Sequence, residues 1–194
     1  FITAWDALER SQVEAGTRFM VIGAGSVARA AQALAEARGA NVVMAARRES
    51  IVQGLNAQGI NAIQLQQEQP LAEQAQNAFG QQAPEVIFDT TGHWLPEAVD
   101  TVGTFGRVAV IAAPKDGLIT LPVLNLYRRG GSVIGINSLL YSLEDCAKML
   151  SKIGAAFDKG LPIPTDFIER PLSEAVEAYQ QISQGGSEKI VLTP

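Results

Sequence analysis

The chain of 194 residues has one cysteine, Cys146, and one histidine, His93. A disulfide within the chain needs two thiols, so none can form, and a cytoplasmic setting is expected. A zinc site built mainly of cysteine and histidine is excluded for the same reason. Basic residues are outnumbered, 15 against 20 acidic ones, for a net charge of -5. A broad basic face for nucleic acid is therefore not expected. No apolar run is long enough to span a membrane, and no stretch reads as a signal peptide. No repeat at a solenoid period is visible. An initiating methionine is also missing. Phe1 runs directly into a helical pattern, Thr3-Ala-Trp-Asp-Ala-Leu8, and we read the chain as a piece of a longer protein.

Hydrophobic residues are plentiful, at 47%. That is enough for one packed domain with a small appendage. The stretch from Arg18 to Ala28 organises the rest. Phe19 to Ile22 reads as a buried strand, followed by Gly23-x-Gly25-x-x-Ala28 and an alanine-rich helix, Val27 to Arg38, closed by Gly39. Gly23 permits a tight strand-to-helix turn. Gly25 lets the backbone approach a pyrophosphate, and Ala28 lets the helix pack closely on the strand. The N–H groups of Ser26 and Val27, at the positive end of the helix, face the phosphate charge.

From there strand and helix alternate. Further strands are expected at Asn41–Ala46, Ile60–Leu65, Glu85–Asp89, Gly106–Ala112 and Ser132–Asn137. Helices are expected at Glu49–Gln58, Pro70–Phe79, Trp94–Val102, Leu121–Arg129 and Ser142–Asp158. The last opens Ser142-x-x-Asp145, a capping box with aspartate in the Glu/Gln place. Glutamine is frequent from Gln64 to Gln82 and reads as a solvated helix face. Leu161-Pro-Ile-Pro164 breaks the rhythm. After it we expect a short strand at Phe167–Glu169, a helix at Pro171–Ser183 and a strand at Lys189–Leu192. The fold class is α/β. It is a Rossmann doubly wound parallel sheet of six strands, order 3-2-1-4-5-6, over residues 1–160, with a C-terminal segment, 161–194.

In such sheets the ligand lies beyond the carboxyl ends of the strands. That points to Gly23–Ala28, Ala46–Arg48, Asp89–Gly92, Ala112–Pro114 and Asn137–Ser138. An NAD site offers a carboxylate at the end of the second strand. Here that place is Ala46, followed by Arg47 and Arg48. A small residue leaves room for a 2′-phosphate, and a guanidinium pairs with it through charge-assisted bonds. The expected cofactor is NADP(H). A second pair, Arg128-Arg129, sits before Gly130-Gly131 at a helix C-terminus, where cations suit the dipole. It is position after the second strand, not the doublet, that carries the inference.

At this point the chain resembles the medium-chain dehydrogenase/reductase superfamily, in its zinc-type alcohol dehydrogenase and NADPH:quinone oxidoreductase-like range. Thr3-Ala-Trp resembles the helix entering that family's cofactor domain. Gly23-Ala-Gly-Ser-Val-Ala28 with Gly39-Ala40, Asp89-Thr-Thr-Gly92 and Phe105-Gly-Arg-Val108 resemble its phosphate loop and strand turns. Leu124 to Arg129, Ser132 to Gly135, Pro171 to Ala175 and Lys189 to Leu192 resemble its later elements. The resemblance implies an N-terminal GroES-like catalytic domain, absent here, that would supply the substrate pocket for a small molecule and any zinc ligands. It implies that this piece binds NADPH without turning over substrate, and that Lys189–Leu192 closes against the absent domain. It implies a homodimer through the sixth-strand edge, Ser132 to Asn137. It also implies that Ala112 and Ala113 with Pro114, and Asn137 with Ser138, line the nicotinamide half of the cleft.

Other residues stay open. Thr90 and Thr91 either contact the ribose or pyrophosphate or satisfy backbone groups of their turn. His93 is either a proton donor or an exposed loop residue, and Cys146 is read as a small packed group. None of Tyr127, Tyr141 and Tyr179 is followed four residues on by lysine, which argues against short-chain reductases. The rival readings are a non-catalytic NADPH-binding module for sensing or association, and a methyl transferase using S-adenosylmethionine. The latter is disfavoured by Ala46-Arg47, where its ribose would want a carboxylate.

Overall fold

The computed structural model describes residues 1–161, 167–184 and 189–194. The chain divides into two compact units, residues 1–161 and 162–194. In the first, α1 (Ile2–Arg10) precedes β1 (Arg18–Ile22), α2 (Ser26–Ala37), β2 (Asn41–Ala46) and α3 (Glu49–Ala57). Then come β3 (Ala62–Gln64), α4 (Leu71–Ala78), β4 (Val86–Asp89), α5 (Leu95–Thr101) and β5 (Arg107–Val110). The unit ends with α6 (Val123–Arg128), β6 (Ser132–Gly135), a 3-10 turn at Ser138–Leu140 and α7 (Leu143–Asp158). The strands form one parallel sheet in the order β3-β2-β1-β4-β5-β6, as expected from the sequence.

Successive strand residues point to opposite faces, and each face is buried. Phe19, Val21, Val42, Met44, Val86, Phe88 and Ala109 pack on one side with Ala4, Leu8, Ala31, Leu34 and Leu55 from α1, α2 and α3. Met20, Ile22, Val43, Ala45, Ile87 and Val108 pack on the other with Leu71, Ala75, Leu95, Ala98 and Val99 from α4 and α5. Apart from Arg18, Asn41, Asp89 and Arg107 at their ends, the central strands are apolar because neither face meets water. Alanines on α2, at Ala28, Ala31 and Ala35, bring that helix close to the sheet. Among the described residues no helix is long and apolar enough to cross a membrane.

The elements depart from the sequence expectation in specific places. The third strand shrinks to Ala62–Gln64, and the fifth and sixth end at Val110 and Gly135, so Ala112 and Asn137 lie in loops. The solvated reading of the glutamine-rich region fails at Gln74, which is buried. Its side chain accepts from Gln66 N at 2.9 Å and donates to Gln66 O at 2.9 Å and Gln69 O at 2.8 Å. It satisfies backbone groups that the loop leaves unpaired. The capping box is incomplete. Ser142 Oγ accepts from Asp145 N at 3.1 Å, but the Asp145 carboxylate takes the Ser142 hydroxyl at 2.7 Å.

In the second unit β7 (Ile168–Pro171) pairs in parallel with β8 (Ile190–Thr193). Pro171 ends this strand instead of opening a helix. A 3-10 turn, Leu172–Glu174, intervenes before α8 (Ala175–Ser183). The break expected at Leu161-Pro-Ile-Pro164 falls, beyond Leu161, outside the described residues.

Replacing Gln74 by Leu strands Gln66 N and Gln69 O and is expected to lower stability by roughly 2–3 kcal/mol. The neighbouring exposed Gln76→Ala should stay within about 0.5 kcal/mol of the parent. Urea denaturation of both variants checks this.

Candidate functional site

The sheet's register aligns the strand ends. Ala45 lies beside Ile22, Ile22 beside Asp89, Asp89 beside Val110, and Val110 beside Gly135. Every loop named as a candidate from the sequence therefore leaves the same edge of the sheet at one level. The stretches Ala46–Arg48, Gly23–Ala28, Asp89–Gly92, Ala112–Pro114 and Asn137–Ser138 follow one another along that edge.

At the tip of β1, Gly23 has φ +118°, a conformation open to glycine and strained for other residues. A Cβ there would collide with the Thr90 hydroxyl. Gly25 differs. Its φ is -72°, and a Cβ would meet nothing within 4 Å. Gly25 is exposed and serves as the N-cap of α2, which has no side-chain cap and no acidic residue in its first turn. By contrast α3, α4, α5 and α7 each carry a carboxylate there. The first N–H groups of α2 thus face open space, with Ser26 exposed and Val27 half-buried beside them. This is a place for an anion.

Ala46 ends β2 and is buried, while Arg47 and Arg48 are exposed. The Arg47 carbonyl accepts from Gln64 Nε2 at 3.2 Å, so its backbone is fixed. Among the described residues neither guanidinium has an ion-pair or hydrogen-bond partner. The other arginines, Arg128 apart, each reach a carboxylate, a side-chain amide or a carbonyl.

The turn after β4 is built on Asp89, which sequence reasoning placed at the ligand edge without a role in shaping the turn. Asp89 has no exposed surface. Its Oδ1 accepts from Thr91 N at 2.8 Å, Thr91 Oγ1 at 2.8 Å and Gly92 N at 3.1 Å, and its Oδ2 accepts from Trp94 N at 2.9 Å. Thr90 Oγ1 donates to Ile22 O at 2.7 Å. Both threonine hydroxyls are engaged within the protein, Thr90 on a main-chain carbonyl and Thr91 on the Asp89 carboxylate. The signal that could have found Asp89 is an aspartate closing an otherwise apolar strand just before Thr-Thr-Gly. Gly92, at φ +73°, lies against the next loop. A Cβ there would stand 2.5 Å from both Ala112 O and Ala113 N.

Ala112, Ala113 and Asn137 are exposed. Asn137 Oδ1 accepts from Leu139 N at 3.1 Å and caps the turn that follows. His93 is exposed in its loop, and Cys146 is half-buried on α7.

Comparison with known proteins decides the family. The model described as zinc-binding dehydrogenase matches residues 26–155. The chain belongs to this zinc-binding dehydrogenase family, and its fold is the C-terminal cofactor-binding domain of the medium-chain dehydrogenase/reductase superfamily. A zinc-type alcohol dehydrogenase-like protein of Schizosaccharomyces pombe is 29% identical over 204 residues, covering 100% of this chain and 58% of that protein. The crystal structure of an alcohol dehydrogenase superfamily protein from Novosphingobium aromaticivorans is 25% identical, with TM-score 0.79 over 94% of this chain and 56% of that one. Benzyl alcohol dehydrogenase from Acinetobacter calcoaceticus, 20% identical, shares the fold with TM-score 0.83, over 98% of this chain and 54% of that one. The chain spans little more than half the length of these relatives. Among the described residues no three His, Cys, Asp or Glu side chains cluster to hold an ion.

The two glycines at this edge should separate in their effects. Gly92→Ala forces a Cβ into the Ala112–Ala113 peptide at a left-handed φ and is expected to cost about 3 kcal/mol or more. Gly25→Ala meets no atoms and should cost at most about 1 kcal/mol, the loss of a favourable N-cap. Chemical denaturation of the two variants measures both.

Proposed function

We propose that this dehydrogenase-family domain binds NADPH across the aligned strand ends and serves as the cofactor half of an NADPH-dependent oxidoreductase of the quinone or enone type. The observation that carries the reading is the pair of unpartnered guanidinium groups, Arg47 and Arg48, one strand from an uncapped helix N-terminus. The residues fit a dinucleotide. Gly23, Gly25, Ser26 and Val27 would hold the pyrophosphate on bare amides. Ala46 leaves room for the 2′-phosphate, and Arg47 and Arg48 supply its counter-charge. Thr90 and Thr91 would shape the wall beside the ribose, and Ala112, Ala113 and Asn137 would line the nicotinamide end. When bound, the nicotinamide supplies a hydride to be transferred, and the domain's contribution is to bind and orient it.

The same reading assigns the substrate pocket to a catalytic domain outside this chain, so the isolated 194 residues bind cofactor without turnover. It also includes a homodimer. The strand β6 lies at one end of the sheet order, with Ser132 and Gly135 exposed. A second copy pairing along it would cover that edge. A dimer mass in sedimentation equilibrium is the expected result, and a monomer at all concentrations would remove this part of the reading.

The cofactor assignment has a direct test. Arg47→Ala with Arg48→Ala should weaken NADPH binding by about 1.5–3 kcal/mol and leave NADH binding nearly unchanged. Isothermal calorimetry with both cofactors distinguishes the outcomes, since equal losses for the two would refute the 2′-phosphate assignment. Gly25→Ala, by filling the space in front of the α2 amides, should abolish binding of both.

A further inference from the structure

The helix α1 is joined to the far end of the candidate site by a row of side chains. Thr3, Asp6 and Arg10 are spaced i, i+3 and i+7, which places them on one stripe of the helix. Thr3 Oγ1 lies 2.7 Å from Ser138 Oγ. The Tyr141 hydroxyl donates to Asp6 Oδ1 at 2.5 Å, and Arg10 Nη1 donates to Gly135 O at 2.6 Å. The three partners span residues 135–141, the whole stretch that leaves β6 at the carboxyl edge.

Apart from bonds within the turn itself, from Leu139 N to Asn137 Oδ1, Leu140 N to Asn137 O and Tyr141 N to Ser138 O, that stretch has few other ties to the sheet. Ile136 is its one buried residue, held by Ile136 N on Val110 O at 2.8 Å. Leu139 and Leu140 are 91% and 82% exposed, so apolar packing does not anchor the turn. Asp6 is itself buried, and its Oδ2 has no hydrogen-bond partner. A buried carboxylate with one oxygen unpaired is a costly fastening if stability were its sole purpose. The Tyr141 phenol is pushed above its usual value, first by its hydrogen bond to Asp6, then by burial and the Asp6 charge. Arg10 opposes this and Asp145 adds to it. The donor is therefore present throughout the neutral range.

We propose that Asp6 and Tyr141 are positioning residues: through the α1 stripe they hold residues 135–141 where Asn137 and Ser138 serve the nicotinamide half of the bound dinucleotide. This rests on the cofactor reading above. Its consequence is selective. The pyrophosphate and 2′-phosphate contacts lie on β1, α2 and β2, away from the clamp, so losing the clamp should cost only what the nicotinamide gains.

The test compares NADPH with 2′-phospho-ADP-ribose, which lacks only the nicotinamide, on the 194-residue chain and its Tyr141→Phe and Asp6→Asn variants. NADH with ADP-ribose is run in parallel. In the parent chain the nicotinamide-bearing ligand is expected to bind more tightly than its truncated form. Tyr141→Phe should reduce that ratio by about fivefold, the worth of one ordinary hydrogen bond, and Asp6→Asn, whose amide oxygen still accepts from the phenol, by less, with the truncated ligand's affinity unchanged in both. Tyr141→Phe removes only a hydroxyl and keeps the ring, so it reports even if Asp6→Asn folds poorly. A ratio unchanged in Tyr141→Phe, or both affinities falling together, would overturn the positioning role and leave the cofactor reading standing. Failure of the parent chain to bind either truncated ligand would overturn the cofactor reading and the positioning role with it.

Discussion

A carboxylate without exposed surface sits at the middle of the sheet's carboxyl edge, and the geometry around it depends on its hydrogen bonds. Asp89 draws in the amides of Thr91, Gly92 and Trp94, folding the chain sharply at the end of β4. The fold brings Gly92 against the peptide after Ala112 and sets Thr90 over the tip of β1. Thr90 then bonds Ile22 O, and Gly23 must be a glycine to pass beneath it. A buried charge is tolerable there because four donors surround it. Three adjacent loops thereby take their shape from one side chain.

The close contact at Gly23 changes what the first glycine means. The dinucleotide pattern explains Gly23 by the turn it permits and Gly25 by the ligand it admits. Here Gly23 is also filled from the protein side, by a threonine one strand away. Gly25 alone is left facing space. The two glycines look alike in sequence and differ in whether the vacancy beside them is already occupied.

Charge placement divides the chain in a related way. Most arginines stitch elements together, as Arg18 does to Glu85 and Arg38 to Glu9. Arg38 also lies over the Trp5 ring at 4.4 Å. Among the described residues Arg47 and Arg48 stitch nothing. An arginine that spends no contact on the fold keeps its hydrogen-bonding capacity for something else, and two in succession beside an uncapped helix make an anion the natural partner. On the opposite flank the polar stripe of α1 fixes a loop that apolar packing leaves loose. One end of this edge carries groups held in reserve and the other carries groups bonded to one another.

The sequence by itself determined the order and direction of the six strands, because alternation of apolar strands with amphipathic helices leaves a parallel sheet few arrangements. It also determined where the Gly-x-Gly-x-x-Ala turn falls, between the first strand and the helix after it, whereas the fit of Gly23 beneath Thr90 came only with the fold. The tertiary structure alone decided the role of Asp89, the burial of Gln74 and the bridging stripe of α1. Each depends on groups that meet only after folding. Gln74 looks like its solvated neighbours until the loop at Gln66 and Gln69 turns back on it. Tyr141 meets Asp6 across 135 residues of chain. Periodicity reports which face of an element is apolar. It carries no information on which polar atoms will be left facing one another, because that is set by loop geometry, and loop geometry is set by the packing of everything else.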